Sequence, residues 1–259
     1  MDHRRRVQNQ FGAAAEAYVA SRSHAEGADL ARLATWAAEE GGSDKRALDV
    51  ATGGGHTALA LVPWYGLVVA SDLTPRMLVS AAAAIRAHGA GNVVYAGAAA
   101  ERLPFAGAAF DLVTCRIAPH HFGNVASFAA EVARVLRPGG VFLLEDSIAP
   151  EDPTLDDWLN RAEALRDPTH VRSLSARRWR ALLDEAGFAV EMEAVFPKAH
   201  PFEDWIARAR VPGERRAALV AAFRDAPPAA RQTFAITMDG DGNVVSYTDE
   251  KILLRARKR

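Results

Sequence analysis

The chain has 259 residues, of which 49% are hydrophobic and 24% are charged, so a packed core is expected rather than disorder. The formal net charge of −1 argues against nucleic-acid binding by charge alone, and the single cysteine, Cys115, excludes an internal disulfide and a multi-thiolate metal site. The charged start has no apolar segment typical of a signal peptide, and no stretch is apolar enough to cross a bilayer. We therefore expect a soluble, cytoplasmic protein that binds neither nucleic acid nor membrane.

Two helices are predicted ahead of the first strand, at 7–20 and 28–40, because apolar residues recur there at three- and four-residue steps. Their position in the chain suggests a helical cap, 1–45, lying over the sheet rather than forming part of it. The link 21–24 ends in His24 and is expected to lie near whatever the cap covers.

From Arg46 to Asp146 short apolar runs alternate with helical patterns. Strands are predicted at 47–50, 67–71, 92–95, 110–115 and 141–144, and helices after residue 55, at 75–87 and at 125–136. Thr74 and Pro75 are typical of a helix start, with the threonine as N-cap. Regular alternation of strands and helices predicts a parallel sheet covered on both faces.

The pattern changes after Asp146. Helices are predicted at 152–165 and 175–186, a strand at 188–195, a helical insertion at 197–228, and two strands at 232–238 and 244–254 around a turn at 239–243. We expect a single domain, 1–259, divided into the cap 1–45, a core 46–146, further helices 147–230 and a terminal hairpin 231–259.

A glycine turn, Gly53-Gly54-Gly55, lies between the first strand and its helix, and Asp72 closes the second strand. Glycine lets the backbone turn tightly and approach a ligand, and an acidic residue after the second strand can accept both ribose hydroxyls of a nucleoside. The turn could hold NAD or S-adenosylmethionine. Ala58 occupies the third position of the dinucleotide spacing, where alanine is permitted, so spacing alone leaves both open.

Three motifs resemble class I S-adenosylmethionine-dependent methyltransferases. They are 48–55 at the turn, 100–105 with 109–111 before the fourth strand, and 131–140 before the fifth. The similarity is greatest to the small-molecule branch that includes ubiquinone/menaquinone C-methyltransferase-like proteins, and 166–172 with the final hairpin resembles a bacterial subgroup of it. The resemblance implies a Rossmann-like α/β fold, a mostly parallel seven-stranded sheet with a C-terminal antiparallel hairpin and a helical cap, and cofactor binding within 46–146.

The resemblance also implies which residues meet S-adenosylmethionine. They are Asp49, Ala51, Gly53, Gly55 and Arg116 at the methionine part, Asp72 at the ribose, Leu73, Met77, Ala99, Ala100 and Glu101 around the adenine, and Tyr18 closing the pocket. Ala51 replaces a usual glycine, and we expect it to keep strand torsions. Ala99 stands where the family often has aspartate, which leaves adenine recognition to backbone groups and Glu101.

Histidines supply the candidate base for an acceptor that must lose a proton. His120-His121 follows the fourth strand in a segment similar to the tandem-histidine segment of several natural-product O-methyltransferases, and Asp146 at the end of the fifth strand could orient one of them. His121 is the preferred base. The residues expected to contact substrate are His24, His170 and Arg172.

The sequence thus predicts methyl transfer, without a metal, from S-adenosylmethionine to an O, N or C atom of a small, cyclic or aromatic metabolite. The alternatives left open are an NAD-dependent oxidoreductase and a non-catalytic protein that binds an adenosyl ligand. The protein is expected to be a monomer or a homodimer.

Overall fold

The computed structural model describes residues 2–19, 21 and 25–259. The strands are β1 (Gly42–Val50), β2 (Tyr65–Asp72), β3 (Val93–Gly97), β4 (Phe110–Arg116), β5 (Leu136–Ile148), β6 (Phe188–Pro201), β7 (Thr237–Met238) and β8 (Val244–Lys258). Within this part of the chain they form one sheet in the order β3-β2-β1-β4-β5-β8-β6, with β7 paired only with β8. The first five strands are parallel, and β8 runs antiparallel to β5 and β6.

The helices are α1 (His3–Val19), α2 (Ala28–Glu39), α3 (His56–Leu61), α4 (Pro75–Ala87), α5 (Val125–Val135), α6 (Pro153–Arg166), α7 (Ala176–Glu185), α8 (Phe202–Ala209), α9 (Gly213–Arg224) and α10 (Pro228–Thr233). A short 3₁₀ turn covers Pro119–His121. The α/β Rossmann-like architecture and the mostly parallel sheet predicted from the sequence are confirmed.

Apolar residues of the inner strands point alternately to both faces, as expected for a sheet buried on both sides. On β4, Val113 belongs to a core with α5 and α7, whereas its neighbour Leu112 belongs to a core with α2, α3 and α4. A third core, rich in aromatic rings, joins α6, α8, α9 and α10 to the first half of β8. This third core builds a wall beyond the carboxyl ends of the parallel strands.

Two details differ from the sequence expectations. The helix α2 packs on a face of the sheet through Leu33 and Trp36, so only α1 crosses the carboxyl edge. In the terminal region, the segment expected to be a strand at 232–238 is mostly not a strand: α10, which starts at Pro228, extends to Thr233, a turn follows at 234–235, and Thr237–Met238 pair with β8. The main antiparallel partner of β8 is instead the long strand β6.

Candidate active site

The carboxyl ends of β1, β2, β4 and β5 meet at one edge of the sheet, below a cavity of about 330 Å³. Helix α1 lies across this edge, where the Gln8 side chain donates to the Leu73 carbonyl at 2.9 Å and the His3 ring bonds the His121 carbonyl at 2.8 Å. The parts of β6 and β8 that extend past β5 line the far side, with α6 and α8. In open parallel sheets this edge is where ligands bind.

Left-handed backbone conformations occur at two neighbouring strand ends of this edge. After β1, Ala51 has φ 55° and Gly53 has φ 52°, and after β4, Ile117 has φ 52°. The expectation that Ala51 keeps strand torsions is therefore wrong. Its left-handed conformation costs an alanine about 1–2 kcal/mol. Such strain clusters at functional sites because the surrounding structure must hold it in place.

The first and last glycines of the turn serve different purposes. A Cβ added to Gly53 would have its nearest heavy atom at 4.0 Å, the Ala51 carbonyl oxygen, so this glycine borders open space in the cavity. A Cβ added to Gly55 would lie 2.9 Å from Ile85 Cδ1. Gly55 also has φ 85°. Its conformation and its packing on α4 both require glycine, and it does not line the cavity.

Asp49 lies beneath the turn rather than in the cavity. Its carboxylate is 1% exposed and accepts hydrogen bonds from the Thr52 and Thr114 hydroxyls, each at 2.7 Å. Burial, the dominant effect, raises the pKa of Asp49 to about 6 although both hydroxyls favour the ionised form. The Asp49 side chain thus joins the glycine turn to β4 and does not face the cavity in which a ligand would bind.

Asp72 joins the turn to the end of β2. Its Oδ2 accepts the Gly53 N–H at 3.0 Å and its Oδ1 accepts the Thr74 N–H at 2.8 Å. Burial raises the pKa of this carboxyl, and the two backbone donors oppose that shift. Each oxygen keeps a further lone pair, so the group could still accept two hydroxyls from a ribose.

Most of the predicted cofactor residues border the same cavity. Those that do are Tyr18, Ala51, Gly53, Asp72, Leu73, Met77, Ala100, Glu101 and Arg116. Asp49, Gly55 and Ala99 do not line it, and Ala99 instead pairs with Arg102 in an isolated β-bridge. Glu101 accepts the Gly123 N–H at 3.1 Å and pairs with Arg4 of α1 at 3.4 Å. The turn, β2 and the loop before β4 therefore share one pocket.

Arg116, at the end of β4, is held by a buried carboxyl pair that sequence reasoning did not find. Its Nη1 lies 3.3 Å from Asp29 Oδ2 and 3.8 Å from Glu145 Oε1, and its Nε donates to Thr57 Oγ1 at 3.3 Å. Burial raises the pKa of Glu145 to about 8. The pKa of Asp29 is lowered despite burial, because Glu145 donates to it and Arg116 stabilises its charge. The signal available in the sequence was an acidic residue, Glu145, inside an apolar strand.

His120 and Asp146 come together at the ends of β4 and β5, as predicted. The distance between His120 Nδ1 and Asp146 Oδ1 is 2.6 Å. Burial disfavours the charged ring, but the Asp146 charge and hydrogen bond outweigh it, so the pKa of His120 is raised. Because a carboxylate only accepts, the proton of the neutral ring lies on Nδ1 and Nε2 carries the lone pair.

His121 and His170 also line the cavity, in environments that favour the neutral ring. His121 Nδ1 lies 3.2 Å from the Thr169 carbonyl, and burial, with His120 beside it, holds its pKa well below the ordinary value. His170 Nε2 donates to Asn160 Oδ1 at 2.9 Å, and burial lowers the pKa of His170 to about 4. The carboxylate that raises the basicity of a histidine, Asp146, is therefore paired with His120. It is not paired with His121, the base preferred from the sequence.

Comparisons with known proteins identify the family. Residues 48–144 match the model of a methyltransferase domain. The chain is 37% identical over 249 residues to the uncharacterised methyltransferase YcgJ of Bacillus subtilis, covering 96% of this chain and 98% of YcgJ. The crystal structure of YcgJ superposes with a TM-score of 0.86 at 36% identity, over 89% of this chain and 98% of that one. The chain is a class I S-adenosylmethionine-dependent methyltransferase.

Two further relatives are consistent with this assignment. The uncharacterised protein YafE of Escherichia coli is 37% identical over 195 residues, which is 74% of this chain and 90% of YafE. The ubiquinone/menaquinone biosynthesis C-methyltransferase UbiE of Brucella anthropi is 31% identical over 166 residues, 62% of this chain and 61% of UbiE. The glycine turn alone left NAD and S-adenosylmethionine open as ligands, and family membership favours S-adenosylmethionine.

The far side of the methyltransferase cavity is lined by charged residues that sequence reasoning missed. They are Glu163 and Arg166 on α6, Lys198 and His200 on β6, Arg208 on α8, and Asp249 and Lys251 on β8. His200 Nε2 lies 2.8 Å from Asp249 Oδ1, and Lys251 Nζ donates to Ser147 Oγ at 3.3 Å. The signal in the sequence was the pair of charges at alternate positions, 249 and 251, within the last apolar strand.

Two predicted substrate residues are not brought to the cavity. Arg172 lies in a separate surface depression and forms ion pairs with Asp156 at 2.5 Å and Asp157 at 3.5 Å, because α6 presents both carboxylates to the loop that carries it. His24 lies outside the described residues. In the described part of the methyltransferase, no cluster of three or more His, Cys, Asp or Glu side chains is arranged for a metal ion. No helix in the same residues has the length and apolarity needed to cross a bilayer.

Proposed function

We propose that the protein transfers a methyl group from S-adenosylmethionine to a small, cyclic or aromatic metabolite, at a hydroxyl or an acidic carbon that must lose its proton. The observation that carries this proposal is the His120–Asp146 pair, at 2.6 Å, on the wall of the cavity that also contains the glycine turn and Asp72. A base and a nucleoside site in one cavity are the two parts that such a transfer requires.

The residues around the turn fit the proposed methyl donor. Asp72 has lone pairs for the two ribose hydroxyls, and the open side of Gly53 leaves room for a ligand against the backbone. The Arg116 guanidinium, which lines the cavity, is a suitable partner for the carboxylate of the methionine part. Leu73 and Met77 supply apolar surface for the adenine. S-adenosylmethionine supplies an electrophilic methyl carbon and, as that carbon bonds to the acceptor atom, its sulfur takes the electron pair of the broken bond.

The protein's own part in the reaction is to position the acceptor and to take its proton. The neutral His120 ring has its lone pair on Nε2, and Asp146 holds the ring by its Nδ1–H and stabilises the charge that develops when Nε2 accepts the proton. His121 and His170, whose pKa values are lowered, remain neutral and can donate or accept hydrogen bonds to orient the acceptor. Helix α1, through Phe11 and Tyr18, excludes water from the same space.

The test measures release of S-adenosylhomocysteine with a panel of phenols, catechols and hydroxylated heterocycles. His120→Gln should lower kcat by about 10²–10⁴-fold and leave the affinity for S-adenosylhomocysteine unchanged in calorimetry. The matched control is His88→Gln, because His88 is exposed and bonds only the Ala84 carbonyl of its own helix. Full activity of the His120 variant on an authentic acceptor would refute the base. Cofactor binding without turnover on any acceptor would favour a non-catalytic adenosyl-binding protein.

The Asp146→Asn variant tests whether Asp146 acts on His120 or only supports the fold. Because Asp146 raises the pKa of His120, the rate of the parent enzyme should rise with pH at values above the ordinary histidine pKa of 6.5. Loss of the carboxylate charge should move that rise to lower pH as well as lower kcat. A pH profile that does not move would contradict the pairing.

A further inference from the structure

The cavity beyond the histidines has an excess of positive charge that the proposed chemistry does not use. The second half of the chain contributes five of its cations, Arg166, Lys198, Arg208, Arg210 and Lys251, and three of its carboxylates, Glu163, Asp167 and Asp249. Lys251 faces Asp249, whose pKa is lowered by that charge and by His200 despite burial. The pairing balances the β8 side of the space. The α6 and α8 side is therefore the part whose charge needs an explanation.

Arg166 reaches this space from the last turn of α6. Its guanidinium lies 4.8 Å from the centre of the Trp205 ring, and its Nε donates to the Trp205 carbonyl at 3.1 Å. Its Nη1 lies 3.4 Å from Glu163 Oε2, while the other oxygen of that carboxylate accepts the Tyr247 hydroxyl at 3.3 Å. Within the described chain, Nη2 of Arg166 makes no hydrogen bond. The group is thus fixed in orientation and retains free donors beside the cavity.

Arg208 faces the same space from α8 without a partner. It forms no hydrogen bond and no ion pair with any other described residue, although its side chain lines the cavity. Partial desolvation, and then the like charge of Arg166, lower the pKa of Arg208. Arg208 is exposed, so water solvates its charge in the free protein, and its guanidinium is available, with that of Arg166, to an anion that enters the cavity.

Tyr18 of α1 closes this arrangement from above. Burial raises the pKa of its hydroxyl, so the group is a neutral donor at physiological pH, and both Arg166 and Arg208 act on it electrostatically. Groups from three helices far apart in the sequence therefore border the same cavity. It lies in the cavity that also contains His120.

We propose that the methyl acceptor is an acid, whose carboxylate or phosphate is received between Arg166 and Arg208 while its proton-bearing group faces His120. This inference rests on the proposed function, since it assigns a substrate class to the same cavity. An anionic group is the shared chemistry, because planar guanidinium donors match the oxygens of carboxylates and phosphates equally well.

The experiment uses the full chain loaded with S-adenosylhomocysteine and a panel of hydroxylated ring compounds. Each scaffold is presented as a carboxylic acid, a phosphate monoester and a neutral primary amide, for example protocatechuate, 3,4-dihydroxyphenyl phosphate and protocatechuamide. Affinities are measured by calorimetry, and turnover is measured wherever a scaffold reacts with S-adenosylmethionine. The acid and phosphate arms separate the two sources of the anion.

We expect at least one scaffold to bind at least about tenfold more tightly as an anion than as its amide. Arg208→Gln should reduce that preference about tenfold and raise KM more than it lowers kcat, and Arg208→Lys should restore most of it. The matched control is Arg172→Gln, which removes the same charge outside the cavity and should leave the preference unchanged. Because Arg208 is exposed and forms no hydrogen bond or ion pair with another described residue, its replacement should leave the fold intact.

Three results would contradict the proposal that the methyl acceptor is an acid. Equal binding of anions and amides on every scaffold would refute this proposal and leave methyl transfer possible. Weakened binding of S-adenosylhomocysteine in Arg208→Gln, with no change in the preference, would assign the guanidinium to the carboxylate of the methyl donor. Failure of the parent protein to bind S-adenosylhomocysteine would remove the proposed function itself, and the acid with it.

Discussion

The two sides of the cavity are built by different means. On the side of the glycine turn, most of the contacts lie within residues 49–74: Asp72 receives the N–H groups of Gly53 and Thr74, and Asp49 receives the Thr52 hydroxyl. The Thr114 hydroxyl reaches Asp49 from β4. A nucleoside ligand shared by a whole family can be held in this way, because backbone donors do not depend on side-chain identity.

On the opposite side, the contacts are made by side chains from distant elements. Arg166 of α6 meets Trp205 of α8, and Glu163 of α6 accepts from Tyr247 of β8. These helices and strands are joined by the aromatic third core rather than by local turns. Such a surface can change its charge and shape without altering the sheet, so it is suited to determine which acceptor is used.

The largest expected effect is the loss of ligand affinity in Asp72→Ala. If its carboxylate accepts two ribose hydroxyls, removing it should weaken S-adenosylhomocysteine binding by about 100-fold or more, since each hydrogen bond to a charged group contributes about 1.5–3 kcal/mol. Calorimetry on the folded variant measures this. Asp44→Ala, an exposed aspartate on β1, controls for net charge. Unchanged affinity would remove Asp72 from the ligand site.

The turn side could be predicted from the sequence because its elements are local. The glycine turn, the start of α4 at Pro75 and the run of parallel strands all follow from neighbouring residues. The torsions of Ala51 could not be predicted in this way, because the left-handed conformation is imposed by the packing of the turn on β2 and α4. Local pattern also misjudged residues 232–238, where a helix start at Pro228 prevailed over strand alternation.

The acceptor side was largely beyond sequence reasoning. The sequence predicted that Asp146 would orient one of the two tandem histidines, since these residues follow adjacent strands, but the preferred base was His121, whereas the structure pairs Asp146 with His120. The contribution of Arg208 depends on how α8 folds back over α6, and no local pattern encodes that. Arg172 was chosen because it follows His170 in the chain, yet the loop turns it to the α6 carboxylates outside the cavity.

A second large effect is expected at Glu145, which lies on β5 next to Asp146 of the proposed acceptor side. Its pKa is raised from 4.5 to about 8, so the folded state holds a proton that the unfolded state loses between these values. Stability should therefore fall as pH rises from about 4.5 to about 8 and be level above that range. Both carboxyl oxygens lack a hydrogen-bond partner when the group is ionised, which is the cost that appears at high pH.

Glu145→Gln should remove this dependence, because a neutral amide can donate to Asp29 as the protonated acid does. Between pH 5 and pH 9 the parent should lose about 4 kcal/mol more of its unfolding free energy than the variant, as one pKa unit corresponds to about 1.4 kcal/mol and the raised pKa spans about three units of this range. Denaturant unfolding at both pH values measures the difference. Glu185→Gln, an exposed position on α7, serves as control. Parallel pH curves for parent and Glu145 variant would show that Glu145 is ionised throughout.

A smaller effect should separate the two glycines of the turn. Gly55→Ala introduces a methyl group 2.9 Å from Ile85 Cδ1 at φ 85°, and should lower the unfolding free energy by about 2 kcal/mol through strain and crowding. Gly53→Ala meets nothing closer than 4.0 Å and should cost only about 1 kcal/mol, for its left-handed torsion. Because its methyl group enters the cavity, it should instead weaken S-adenosylhomocysteine binding about tenfold. Equal losses of stability and equal affinities in the two variants would contradict this division.

The smallest effects are expected at two surface ion pairs, one near each side of the cavity. On the turn side, Arg134 pairs with Glu131 through Nε at 2.7 Å and Nη2 at 2.8 Å, and also donates to the carbonyls of Phe105 and Leu103. Glu131 in turn accepts the Leu103 N–H at 2.7 Å. On the acceptor side, Arg172 reaches only side-chain carboxylates of α6. The first pair therefore fixes the loop that carries Ala100 and Glu101, and the second fixes no backbone.

Arg134→Ala should lower the unfolding free energy by about 1–2 kcal/mol and weaken S-adenosylhomocysteine binding a few-fold, because it leaves backbone carbonyls and a carboxylate without their donor. Arg172→Ala should change stability by about 0.5 kcal/mol or less and leave binding unchanged, as is usual for exposed ion pairs. Chemical denaturation and calorimetry on both variants provide the comparison. Equal effects of the two substitutions would contradict this prediction. They would show that the backbone contacts of Arg134 do not hold the loop before β4, which would then be held in place by its apolar packing alone.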